Sequence, residues 1–113
     1  MQSQQAQTFS LPEQARTFAT EVSGSVERKK KNLASSPGLQ AFLLYIRANG
    51  HVPAHQVAGP ITVQTVIGHA QFTTEGQTHD MPVGNVIALA PGLPHELSAA
   101  EESVLLVTHA VGA

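Results

Sequence analysis

Six histidines stand out in this chain of 113 residues, as many as its lysines and arginines combined. They fall at His51, His55, His69, His79, His95 and His109. Histidine is the commonest metal ligand and the usual acid or base near neutral pH, so the search for chemistry starts with these rings. Spacing limits which of them can act together. His51 and His55 share one face of a regular strand, but four residues of strand span about 13 Å, too far for both to reach one metal ion. His51 is therefore a rim residue unless Pro53 bends the chain. His69 follows a turn glycine, His79 sits in a hairpin and His109 lies near the C-terminus, and all three read as surface or hydrogen-bonded residues. Other reactive groups are few. The absence of cysteine excludes disulfides, thiolate chemistry, iron–sulfur clusters and cysteine-type zinc sites. Asp80 is the one aspartate, which leaves carboxylate dyads to glutamate. Glu96 should point outward beside an inward His95, and Glu101 and Glu102 read as a solvated turn. No nucleophile elbow, phosphate loop or dinucleotide fingerprint occurs.

Strands must position these residues. From Leu39 onward the chain is a series of short apolar or β-branched pieces separated by glycine and proline. The pieces are Leu39 to Ala48, Pro53 to Val57, Ile61 to Ile67, Ala70 to Thr74, Gln77 to Met81, Val86 to Ala90, His95 to Ala99 and Val104 to His109. Leu39 to Ile46 is apolar at both alternating sets of positions, as in a strand buried on both sides. Glu75-Gly76 has the form of a two-residue hairpin loop, and Gly68 ends or bends a strand. Short strands at this spacing predict an all-β sandwich or barrel. Residues 1–25 are polar and Gln-rich and read as an arm, partly mobile or packed on a neighbour, with 26–113 forming the barrel. Within the arm, Ser10 and Glu13 have capping-box spacing, and Leu11, Ala15 and Phe18 line one face of a short helix. Arg28-Lys29-Lys30-Lys31 reads as a solvated edge strand protected by charge, with an anion-binding patch as the other reading.

Composition narrows the function classes. A net charge of -2 argues against a nucleic-acid binder, and the absence of tryptophan leaves few stacking platforms for bases. The longest apolar run, Ala41 to Ile46, is too short to span a bilayer. The start, Met1-Gln2-Ser3, has neither the basic nor the apolar part of a signal peptide, so a cytoplasmic protein is expected. Charged residues make up only 12% of the chain, against about 25% in ordinary domains. That low charge and the doubly apolar Leu39–Ile46 piece predict a homodimer.

One stretch is more specific. Gly84-Asn85-Val86-Ile87-Ala88-Leu89-Ala90-Pro91-Gly92-Leu93-Pro94-His95 resembles the second sequence motif of the cupins. Gly84, Gly92 and His95 match in register. The motif proline falls on Ala90, with Pro91 one place late, and the terminal asparagine position falls on Ala99. The segment Gly50 to Gly68 resembles the first cupin motif in outline. Counting back from Gly68 keeps His55 at one ligand position and puts Val57 and Ile61 at two others. The resemblance covers about residues 26–109. It implies a double-stranded β-helix, the jelly-roll barrel of small single-domain cupins, with an interior pocket.

In metal-bearing cupins three histidines and a glutamate hold a divalent ion in that pocket. The resemblance therefore implies His55 and His95 as metal ligands for one divalent ion (Zn, Ni, Fe or Mn). It also implies His55, Val57, Ile61 and His95 as lining of a ligand pocket, facing one another across the barrel. Gln64, on the next strand, offers an amide oxygen to that ligand or to a backbone group. The alternative for the two histidines is a core pair hydrogen-bonded to backbone. The expected function is small-molecule binding in the barrel, with a metal-dependent enzyme of dioxygenase or isomerase type as the alternative.

Overall fold

The computed structural model describes residues 6–110, so the Gln-rich start and the last three residues of the expected barrel lie outside it. The described chain forms one helix, α1 (Leu11–Val22), and seven strands: β1 (Arg28–Ser36), β2 (Leu39–Ile46), β3 (His51–His55), β4 (Ile61–Thr74), β5 (Gln77–Pro82), β6 (Val86–Leu89) and β7 (His95–Ala110). All strands pair antiparallel in one sheet of order β1-β2-β7-β4-β5, with β3 added to β7 and β6 added to β4. The expected jelly-roll architecture is the one observed.

The spine is the pair β4 and β7, in register from Ile61 opposite His109 to Thr73 opposite Glu96. The sequence pattern breaks each of these strands in two; the structure makes each continuous. The apparent break at Gly68 is a bend, where the β4–β7 register slips between Thr65 and Ala70. Gly68 has φ +87°, and a Cβ there would collide with the Glu102 carbonyl oxygen and the Ser103 hydroxyl. Only glycine allows two strands to approach so closely at a bend. Glu101 and Glu102 thus belong to β7 rather than to a solvated turn, and the Glu102 carboxylate accepts a 2.5 Å hydrogen bond from the Tyr45 hydroxyl. The Glu75-Gly76 loop has φ of 54° and 76°, the double positive φ of a type I′ hairpin, as its sequence predicts.

Ala15, Phe18, Ala19 and Val22, spaced i, i+3, i+4 and i+7, are buried against Leu43, Tyr45 and Val104 on the outer face of the sheet. Phe18 meets Tyr45 edge to face with ring centroids 6.4 Å apart. The helix therefore covers the second apolar face of β2, which had pointed to a partner copy. The capping box is not formed: Ser10 occupies the N-cap without a side-chain bond. Pro12 removes one of the two N–H groups that a capping hydroxyl reaches. The other face of the sheet closes on the barrel core, where Ile46, Phe72, Leu97 and Leu105 are buried. Among the described residues no helix is long and apolar enough to cross a membrane.

Candidate functional site

The barrel encloses a cavity of about 710 Å³. His55, Val57, Ile61 and His95, named from the sequence, all line it. Gln64 does not: Ile61 and Val63 face inward, so the intervening parity puts Gln64 on the opposite face of β4. The remaining walls are mostly apolar, with Phe42, Leu44, Phe72 and Val107 prominent.

The histidine pair is built by strand register. His55 ends β3 and His95 begins β7, and the two are direct cross-strand partners. They are thus neighbours on adjacent strands rather than partners across the barrel, with ring centroids 4.4 Å apart and planes inclined by 60°. Each ring is anchored in the same way. His55 Nδ1 lies 3.1 Å from the Pro53 carbonyl oxygen and His95 Nδ1 lies 3.1 Å from that of Leu93. A carbonyl can only accept, so each Nδ1 carries a proton and donates. His95 is buried and its ring lies 5.8 Å from Phe72, whereas His55 is exposed at the mouth. Burial lowers the His95 pKa from its ordinary 6.5; the Leu93 hydrogen bond opposes this and His55 adds to it. The deep imidazole is held neutral at pH 7.

A resident metal ion would find too few donors here. Val57 and Ile61, which line the cavity near the pair, bring only hydrocarbon. Among the described residues no group of three or more His, Asp or Glu side chains could hold a metal ion. Catalytic zinc sites keep three protein ligands and non-haem iron sites a facial triad, so two imidazoles do not fit such a centre.

His51 and His69 fall as the sequence suggests, and His109 does not. His51 is exposed and lies 3.6 Å from Glu96; His69 Nε2 lies 2.6 Å from Asp80 on the surface and lowers its pKa. His109, expected to be peripheral, lines the cavity, and its Nε2 is buried without a hydrogen-bond partner among the described residues. Its role follows from pairing opposite Ile61 and Gln40, which no local pattern reveals. Arg28, Lys29 and Lys30 also reach the cavity wall. Their signal was present in the basic run, but not the information that β1 closes one side of the barrel.

No family model and no curated protein matches this sequence. Solved structures do match in shape. A conserved protein of unknown function from Streptococcus pyogenes superposes with TM-score 0.75 at 20% identity, covering 98% of this chain and 92% of that one. A cupin superfamily protein from Desulfitobacterium hafniense gives TM-score 0.72 at 18% identity over 75% of this chain and 78% of its own. The dimethylsulfoniopropionate lyase DddQ from Ruegeria pomeroyi gives 0.70 at 22% identity, over 75% of this chain and 47% of that one. These similarities establish the class: the chain has the fold of a small cupin. At such identities a shared fold does not establish a shared function.

Proposed function

We propose that this protein binds a small molecule inside its barrel without a resident catalytic metal. The observation that carries the reading is the pair of anchored imidazoles on a mostly apolar wall. The cavity lies within the ~300–1,000 Å³ usual for ligand sites, which combine apolar lining with a few fixed polar groups. His55 and His95 would receive the polar group of the ligand, while Val57, Ile61 and Val63 cover its hydrocarbon. The metal-dependent enzyme ranks behind this reading because the donor set stops at two. A homodimer remains part of the proposal on the strength of the low charge alone, and a single-chain mass by light scattering at tens of micromolar would remove it.

A neutral apolar fluorophore, N-phenylnaphthylamine, tests the central point. Its emission should rise on mixing with the parent protein and saturate at one molecule per chain. Val57→Trp, which fills the half-buried mouth, should abolish the rise while thermal unfolding stays cooperative. No rise in the parent, or an undiminished rise in the filled variant, would discard the reading.

A further inference from the structure

The cavity is one-sided in charge. Every charged side chain lining it is a cation, and no aspartate or glutamate lines it, although the chain as a whole carries -2. The cations, Arg28, Lys29 and Lys30, come from β1, and alternation sorts the basic run: Lys29 pairs with Tyr45, on the helix face, and borders the cavity from there. Arg28 pairs with Ile46 and Lys30 with Leu44, and cross-strand partners project on the same side of a sheet. Leu44 lines the cavity and Ile46 belongs to the barrel core, so Arg28 and Lys30 stand on the barrel face. Lys31 pairs with Leu43, beneath α1, and its ammonium lies 5.9 Å from the Phe18 ring on the helix face.

Neither barrel-face cation is neutralised. Arg28 and Lys30 have no ion-pair partner among the described residues. Arg28 donates one hydrogen bond, 3.0 Å, to the His51 carbonyl, which orients a guanidinium that still has donors to spare. Glu27, the adjacent carboxylate, is taken by the His51 backbone N–H at 3.1 Å. Lys30 sits 4.6 Å from the centroid of Phe42, a cavity-lining ring. That contact is of the ammonium with the ring face, which leaves the charge without a carboxylate among the described residues. Deeper in, burial holds the His95 ring neutral and the walls are mostly apolar.

From this arrangement we infer that the ligand is an organic anion, with a largely apolar body inside the barrel whose uncharged polar group meets His55 and His95, and a carboxylate, sulfonate or phosphate group at the rim beside Arg28 and Lys30. This deepens the small-molecule reading and rests on it. Edge-strand protection alone would need charge on the strand; it does not require two unpaired cations turned toward a cavity free of acids.

The test compares two probes with one aromatic skeleton: anilinonaphthalene sulfonate, which is anionic, and N-phenylnaphthylamine, which is neutral. The quantity read is the ratio of their affinities. In the parent protein the anion should bind more tightly, and its affinity alone should fall as sodium chloride is raised, since rim charges are screened by salt. The double variant Arg28→Gln, Lys30→Gln should lower the ratio by about five-fold, the size expected for losing partly exposed charge contacts. Lys31→Gln removes one charge from the same strand on its other face and should leave the ratio unchanged. The inference falls, with the cavity reading intact, if both probes bind but the ratio ignores the double variant, drops equally in Lys31→Gln, or is flat in salt. If the neutral probe fails to bind the parent, the cavity reading and this inference fall together.

Discussion

The two faces of β2 are built from alternate residues of one eight-residue strand and end in opposite states. Outward, Leu43 and Tyr45 are sealed beneath α1, and the one buried hydroxyl there is bonded to Glu102. Inward, Phe42 and Leu44 border open space, with cations that have no ion-pair partner and a buried His109 Nε2 that has no hydrogen-bond partner among the described residues. Buried polar groups in folded proteins are almost always satisfied, so the unsatisfied face is the one shaped for something other than the chain itself. The sealed face supplies stability and the open face is left for function.

The largest expected effect lies on the sealed face. Phe18→Ala leaves a cavity under the helix and should cost about 3–5 kcal/mol by denaturant unfolding. N-phenylnaphthylamine binding, measured where the variant is still folded, should persist. A loss under about 1 kcal/mol would mean that α1 is not packed as described, since a buried phenylalanine is worth several times that. A truncated protein that starts at Val26 goes further and should self-associate through the uncovered Leu43, Tyr45 and Val104; a soluble monomer would break the comparison.

The second effect sharpens the open face. Val57→His with Ile61→Glu adds donors to a cavity that already holds His55 and His95, and should raise nickel or zinc affinity measured by calorimetry. The gain should disappear below about pH 6.5, because only neutral imidazole binds metal. No gain would show that Val57 and Ile61 stand at the wrong depth for the pair, despite lining the same cavity.

The smallest effect is electrostatic. The pKa of His95 is lower folded than its ordinary 6.5, so the folded chain holds fewer protons than the unfolded one. Stability from this group is complete above that value and is lost as pH falls from 6.5 toward the lowered pKa. His95→Phe removes the group and should flatten the decline in denaturant midpoint over that window. An unchanged decline would mean that His95 is more solvated than its place beside Phe72 implies.

Much of the architecture was legible in the residues because it depends on local rules. Glu75-Gly76 announces its hairpin, the apolar period of α1 announces a helix face, and Gly84 to His95 announces a strand between tight turns. The merging of the pieces around Gly68 and around Glu101 was hidden, because the bend exists only where β4 and β7 cross closely. His55 and His95 could be named from motif position, but not the register that makes them cross-strand neighbours with both Nδ1 atoms tied to backbone. His109 read as peripheral, and the basic run carried an anion patch only as its second reading, with nothing to tell which of its residues turn inward. Periodicity tells which side chains share a face; it does not tell what that face will meet. The amino-acid order by itself determined strands, turns, the helix stripe and the supply of histidines and cations, since those follow from backbone sterics and period. Only the closed barrel decided that one face of β2 and β1 meets a helix and the other a cavity, because pairing between strands far apart in sequence sets which faces enclose space.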